Sequence, residues 1–192
     1  MCIRDRIKAK SKVTGLVDKG ADKGALILTE RTLKDAESGL DLATLTSTTF
    51  ARGNGGYDGP SDEAPRPHKV PEREPDFAVD LTTLDMAALI YRLSGDYNPL
   101  HASPSVARAA GFPKPILHGL CSLGVAGHAI LKGCCDYDAK RLKSLQLRFS
   151  SPVYPGETMR TEIWRDGANI SFKSKIVERD VVVLDNGHAT VE

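Results

Sequence analysis

At 192 residues, with 41% hydrophobic and 27% charged content, the chain suits one large or two small globular domains. A formal net charge of +1 leaves no electrostatic footprint for nucleic acid. No apolar run approaches the roughly 20 residues of a bilayer span, since the longest apolar-rich stretch, residues 117–131, is broken by Ser122 and His128.

The chain starts with MCIRDRIKAKSK, which is basic but lacks the apolar segment of a secretory signal, and GHATVE at the other end is no known address tail. Residues 10–50 alternate or run β-branched between Gly, Asp and Lys punctuation, which predicts three antiparallel strands. With no helix to cover them, they read as the closing part of a domain spanning residues 7–52 whose first half is absent. Residues 53–75 concentrate glycine, proline and charge, and read as a linker or an ordered strap.

Residues 76–192 have the pattern of a complete unit. FAVDLTT suggests a short strand. In TLDMAALIYRLSG, Leu84, Ala87, Leu89, Ile90 and Leu93 recur near the helical period until Gly95 stops them. SPSVARAAGF opens with a Ser-Pro cap signal and predicts a helix of one to two turns. HGLCSLGVAGHAILKG is apolar nearly all round, which predicts a central helix buried on most faces. Its Gly119, Gly124, Ala126 and Gly127 would let a sheet approach closely. Four strand-like runs follow, divided by YPG, DGAN and ERD. One helix followed by an antiparallel meander is an α+β layout with the sheet wrapped on the helix.

The densest chemistry lies in YRLSGDYNPLH, residues 91–101. Gly95 allows the chain to leave a helix, and Pro99 restricts both itself and Asn98. Asp96, Asn98 and His101 therefore hang from a stiff turn. A carboxylate and an imidazole sharing a water form an acid–base pair, because histidine titrates near neutral pH. Asn98 would orient either partner. The competing reading is a polar turn, since Asp, Asn, Gly and Pro are ordinary turn formers.

Eighteen residues after His101, Gly119 opens the central helix. Unpaired N–H groups at a helix start can donate to an oxygen gaining negative charge, and glycine admits a close carbonyl. Equally, Gly119 could be small only for packing. For His118 three readings stay open: capping the helix, lining a pocket or packing.

Together, YRLSGDYNPLH and GFPKPILHGL closely resemble the hydratase 2 signature of MaoC-like dehydratases, and the wider chain is similar to the C-terminal part of two-domain (R)-specific enoyl-CoA hydratases. The resemblance implies a hot dog fold, a long helix wrapped by a curved antiparallel sheet, preceded by a partial second hot dog. It implies syn hydration of a trans-2-enoyl-CoA to a (3R)-3-hydroxyacyl-CoA without metal or redox cofactor. Asp96 and His101 match the catalytic dyad, Asn98 its hydrogen-bonding companion and Gly119 the oxyanion donor. The implied partners are an acyl-CoA substrate and a second hot dog unit, as a homodimer or otherwise, with neither nucleic acid nor membrane. MCIRDR matches nothing in that family, and the first hot dog is expected to be truncated. Dehydration of acyl-carrier-protein thioesters and a non-catalytic acyl-binding module are the alternative readings.

The remaining signals are weaker. Cys2, Cys121, Cys134 and Cys135 lack metal-ligand spacing and read as reduced thiols of a cytoplasmic protein, or of a peroxisomal one in a eukaryotic host. Tyr154 to Glu157 read as a β-turn, and Trp164 and Phe172 as core or interface residues. Lys114, Arg148 and Lys173 could meet coenzyme A phosphates but read first as solvated charge. His68, His128 and His188 have no partners in the sequence, and Ser94 and Ser122 no nucleophile-elbow context.

Overall fold

The computed structural model describes residues 6–61 and 66–192, in two compact units, Met1–Arg66 and Pro67–Glu192. Cys2, nearly all of MCIRDR and residues 62–65 of the expected linker lie outside the described residues.

The first unit is a three-stranded antiparallel meander of β1 (Ile7–Asp18), β2 (Ala25–Asp35) and β3 (Asp41–Ala51), paired in that order. Its buried residues are confined to the β1–β2 end, at Val17, Asp18, Gly24 and Ala25. The stretch after β3 is fastened there rather than free. Asp18 accepts N–H bonds from Gly20 at 2.8 Å and Gly56 at 2.7 Å, and its own N–H donates to the Pro60 carbonyl. The Gly56 and then the Gly20 N–H hold the Asp18 carboxyl below the usual range.

The second unit opens with β4 (Phe77–Thr82), the short helices α1 (Ala87–Tyr91) and α2 (Pro104–Ala109), and the long helix α3 (Gly119–Cys134). Then come β5 (Leu142–Phe149), β6 (Thr158–Asp166), β7 (Asn169–Ile176) and β8 (Val181–Val191). All five strands pair antiparallel in the order β4-β6-β7-β8-β5, and α3 packs on one face. This is the hot dog fold. Strand alternation builds the core: Met159, Thr161 and Ile163 on β6, and Ile170, Phe172 and Ile176 on β7, are all fully buried against Ala126, Ala129 and Ile130 of α3. The buried hydroxyls of Thr161 and Ser174 satisfy each other at 2.9 Å.

Two expectations need correction. TLDMAALIYRLSG gives only five residues of α-helix, followed by a 3₁₀ turn at Arg92–Ser94. Its periodic apolar residues are not a buried face, for Leu84, Leu89, Ile90 and Leu93 are exposed and only Ala88 is buried. Helix α3 is covered on all but one side, and the small residues expected to admit a sheet do not all do so. Leu120, Gly124, His128 and Lys132, spaced four apart, form an exposed stripe. Glycine does allow close packing, but at Gly127, where a Cβ would come within 3.3 Å of Leu145, and not at Gly124, which faces open space.

The rest of the expected linker runs along the sheet of the second unit. His68 and Ser171 are hydrogen-bonded at 2.8 Å, Asn186 donates to the His68 carbonyl, and Trp164 Nε1–H donates to the Arg73 carbonyl. The Arg73 guanidinium, with the Arg165 N–H, lowers the Asp76 carboxyl to about 2.

Candidate active site

Between α1 and α2 the chain makes two sharp direction changes. Gly95 takes φ +105°, which a side chain would resist, and ends the first 3₁₀ turn. Asn98 then starts a second 3₁₀ turn, Pro99–His101, in which Pro99 occupies the first position. Asn98 Oδ1 accepts the Leu100 N–H at 3.0 Å, and the Asp96 carboxylate accepts the Asn98 N–H at 3.2 Å. Asn98 thus frames the turn by capping it; the expected bond from its side chain to Asp96 or His101 is not made.

His101 is held from a second direction. Its Nδ1–H donates to the Ile116 carbonyl at 2.8 Å, leaving Nε2 as a bare lone pair. The segment carrying Ile116 is itself fixed, because the neighbouring Leu117 N–H donates to the Val153 carbonyl at 2.7 Å. The ring therefore takes its orientation from the loop after β5.

Next to the ring lies a cavity of about 320 Å³, lined by Phe112, Ile116, Leu117, Phe149, Val153 and Leu184, with Gly119 and Ser122 in its wall. Gly119 is the first residue of α3, so its N–H has no acceptor inside the helix. A Cβ on Gly119 would reach the Phe149 ring at 3.3 Å, so the glycine keeps this wall open. On its other side His101 faces a second cavity of about 310 Å³, with Asp85, Leu89, Lys114 and Pro155 in its lining.

The Asp96, His101 and His118 side chains each place an oxygen or nitrogen atom within 4.8 Å of the others. That proximity suits proton transfer through one water. It is a poor metal cage, because the His101 and His118 rings are stacked, with centroids 3.8 Å apart and planes inclined by 26°, so their in-plane lone pairs do not converge.

His118 stands at the N-cap position of α3, but its side chain makes no capping bond and does not line the first cavity. It is buried, bonded through Nε2 to the Asp96 carbonyl at 3.2 Å, and packed between Tyr91 and His101. The Ile116 carbonyl and the contacts of Tyr91 were not legible in the sequence, since backbone acceptors and long-range stacking leave no residue signature. Of the three cations considered for phosphate, Lys114 lines the second cavity, Lys173 is paired with Glu162 at 3.2 Å, and Arg148 is exposed. His68 and His188 do have partners, each other's rings at 4.6 Å.

Residues 67–187 match the family model described as a MaoC like domain. The chain belongs to this family. Among curated relatives it is 42% identical over 188 residues to 3-hydroxyacyl-thioester dehydratase Y of Mycobacterium tuberculosis, covering 95% of this chain and 65% of that protein. It is 41% identical over 184 residues to peroxisomal enoyl-CoA hydratase 2 of Arabidopsis thaliana, covering 91% and 59%. The crystal structure of a MaoC-like dehydratase from Phytophthora capsici superposes with a TM-score of 0.84 at 42% identity, over 97% of this chain and 64% of that one. This chain therefore spans less than two thirds of the length of each of these relatives.

Proposed function

We propose that this MaoC-like chain is a hydro-lyase that reversibly adds water to a trans-2-enoyl-CoA, giving the (3R)-3-hydroxyacyl-CoA. The observation that carries this reading is the meeting of three elements at one place: the free Nε2 of His101, the Asp96 carboxylate beside it, and the unpaired Gly119 N–H in the wall of an apolar cavity. In the hydration direction, Asp96 and His101 hold the water. One of them takes its proton as the oxygen bonds to C3, and a proton is delivered to C2. The two groups are close enough to act as a coupled pair. Electron density moves onto the thioester oxygen, which the Gly119 N–H meets as it becomes enolate-like. One such donor contributes about 3 to 4 kcal/mol to transition-state stabilisation. Water and the enoyl thioester supply every atom, so the proposed reaction calls on no redox cofactor or metal.

The names of the hydratase and dehydratase relatives support the substrate class. They equally suit an acyl-carrier-protein thioester, because the reacting atoms are the same. The apolar exposed face of α1 supports pairing with a second hot dog unit, as a homodimer or with another domain. Among the described residues no helix is long and apolar enough to cross a membrane. The peroxisomal relative supports a peroxisomal setting if the host is eukaryotic.

The test is hydration of crotonyl-CoA and of a longer enoyl-CoA, followed by loss of the conjugated thioester absorbance, beside the same acyl groups on carrier protein. Asp96→Asn and His101→Ala are each expected to lower turnover by at least about 100-fold with the fold retained. Full activity in both variants would falsify the dyad, and a (3S) product would remove the stereochemical assignment.

A further inference from the structure

His118 is only 1% exposed, yet one of its ring nitrogens, Nδ1, is buried with no hydrogen-bond partner. An orphaned buried acceptor is destabilising, so a site that needed only packing would be better served by an apolar ring. What the imidazole has that such a ring lacks is Nε2–H, and this donates to the Asp96 carbonyl at 3.2 Å. The same ring is stacked on His101 at 3.8 Å and supported from behind by Tyr91 at 4.6 Å. A single side chain thus touches both members of the proposed dyad, one through its face and the other through its edge.

We infer that His118 is a positioning residue: a neutral imidazole that fixes the ring plane of His101 by stacking and anchors the backbone of Asp96 by its Nε2–H. Its neutrality follows from its surroundings. The charged and titratable groups facing it are Asp96, His101, Arg92 and the Tyr91 phenol ring. Burial pushes its proton affinity down, and His101 and Arg92 add to that, against the opposing pull of the Asp96 carbonyl and carboxylate. A protonated His118 would set a positive charge against the face of His101. The consequence for rate rests on the hydration reading; the geometry does not.

The wild-type protein, ¹⁵N-labelled at histidine, gives a direct reading by two-bond correlation spectra at pH 8, where an ordinary imidazole is neutral. His118 is expected as the Nε2–H tautomer and His101 as the Nδ1–H tautomer. A His118 in the Nδ1–H form overturns the inference, whatever the variants do. Two substitutions then divide the roles: His118→Phe keeps a ring and loses the donor, while His118→Gln keeps a donor and loses the ring. Each is expected to lower kcat about tenfold or more, with KM within about twofold, because both partners are displaced without loss of substrate contacts. A folded variant of either kind with wild-type kcat refutes the role. If wild-type protein hydrates no enoyl thioester, the proposed function fails on its own. The spectra then still decide, since His101 ring ¹⁵N and carbon-bound proton signals that stay unshifted in both variants refute positioning by His118.

Discussion

Because Nδ1–H of His101 is committed to the Ile116 carbonyl, the ring can act only through Nε2, and anything that moves Ile116 moves the reactive nitrogen. The same economy applies at Gly119, where the backbone N–H is useful only while the wall beside it stays open. Gly119→Ala keeps the N–H and does not weaken the helix start by propensity, but its methyl would press on the Phe149 ring at 3.3 Å. We expect kcat for enoyl-CoA hydration to fall about tenfold to 100-fold with unchanged thermal stability. Adding Phe149→Ala should restore part of it. A Gly119→Ala enzyme with full kcat would show that the carbonyl does not approach this wall. Asp96, Asn98, His101 and Gly119 stood out as candidates because Gly95 and Pro99 announce a rigid turn and a glycine opens an apolar helix. The share of Asn98 was not: its side-chain oxygen is used on the turn itself, and residue type does not say which acceptor a nearby donor will choose.

The elements of the second unit follow from alternation and punctuation, which is why the four strands after α3 could be read closely from the sequence. The register of the strands depends on contacts that period alone does not carry. Gly187 on β8 is an example: it sits opposite Phe172, and an added Cβ would collide with the Phe172 backbone carbonyl and ring. Since a backbone carbonyl cannot rotate away, Gly187→Ala is expected to destabilise the unit by about 1 to 3 kcal/mol, read as a lower urea midpoint. An unchanged midpoint would mean that β7 and β8 separate here without cost. Helix α1 marks the opposite limit of the pattern. Its apolar residues keep the helical period yet stand exposed, because a sequence records that a face is apolar without recording what covers it.

Across the whole molecule, acid should weaken the second unit before its carboxylates are touched. His68 and His118 both bind protons less readily in the folded chain than at the ordinary value of 6.5, chiefly because burial disfavours the charged ring. In the window between 6.5 and those lower folded values, the unfolded chain binds more protons than the folded one, so stability rises with pH and is lost as pH falls. Above about pH 7.5 these rings are neutral in both states and contribute no slope. The depressed carboxylates act elsewhere. Asp76, held at about 2 by Arg73, and Asp80, lowered by Arg160, stabilise above the unfolded value of 3.8, and that contribution disappears only as pH falls below it. The two windows are therefore separate, and the chain's single tryptophan reports on the right unit, since Trp164 is buried beside Arg73 in the Pro67–Glu192 unit. Urea titrations followed by Trp164 fluorescence should give a constant midpoint from pH 8.5 to about 7.5, then a falling one towards pH 5. In His118→Phe the fall should be shallower, because one of the two imidazoles is gone while His68 remains. A midpoint that holds or rises on acidification through this window would show that these two rings accept protons in the folded state, and the neutral stack on His101 would fall with it.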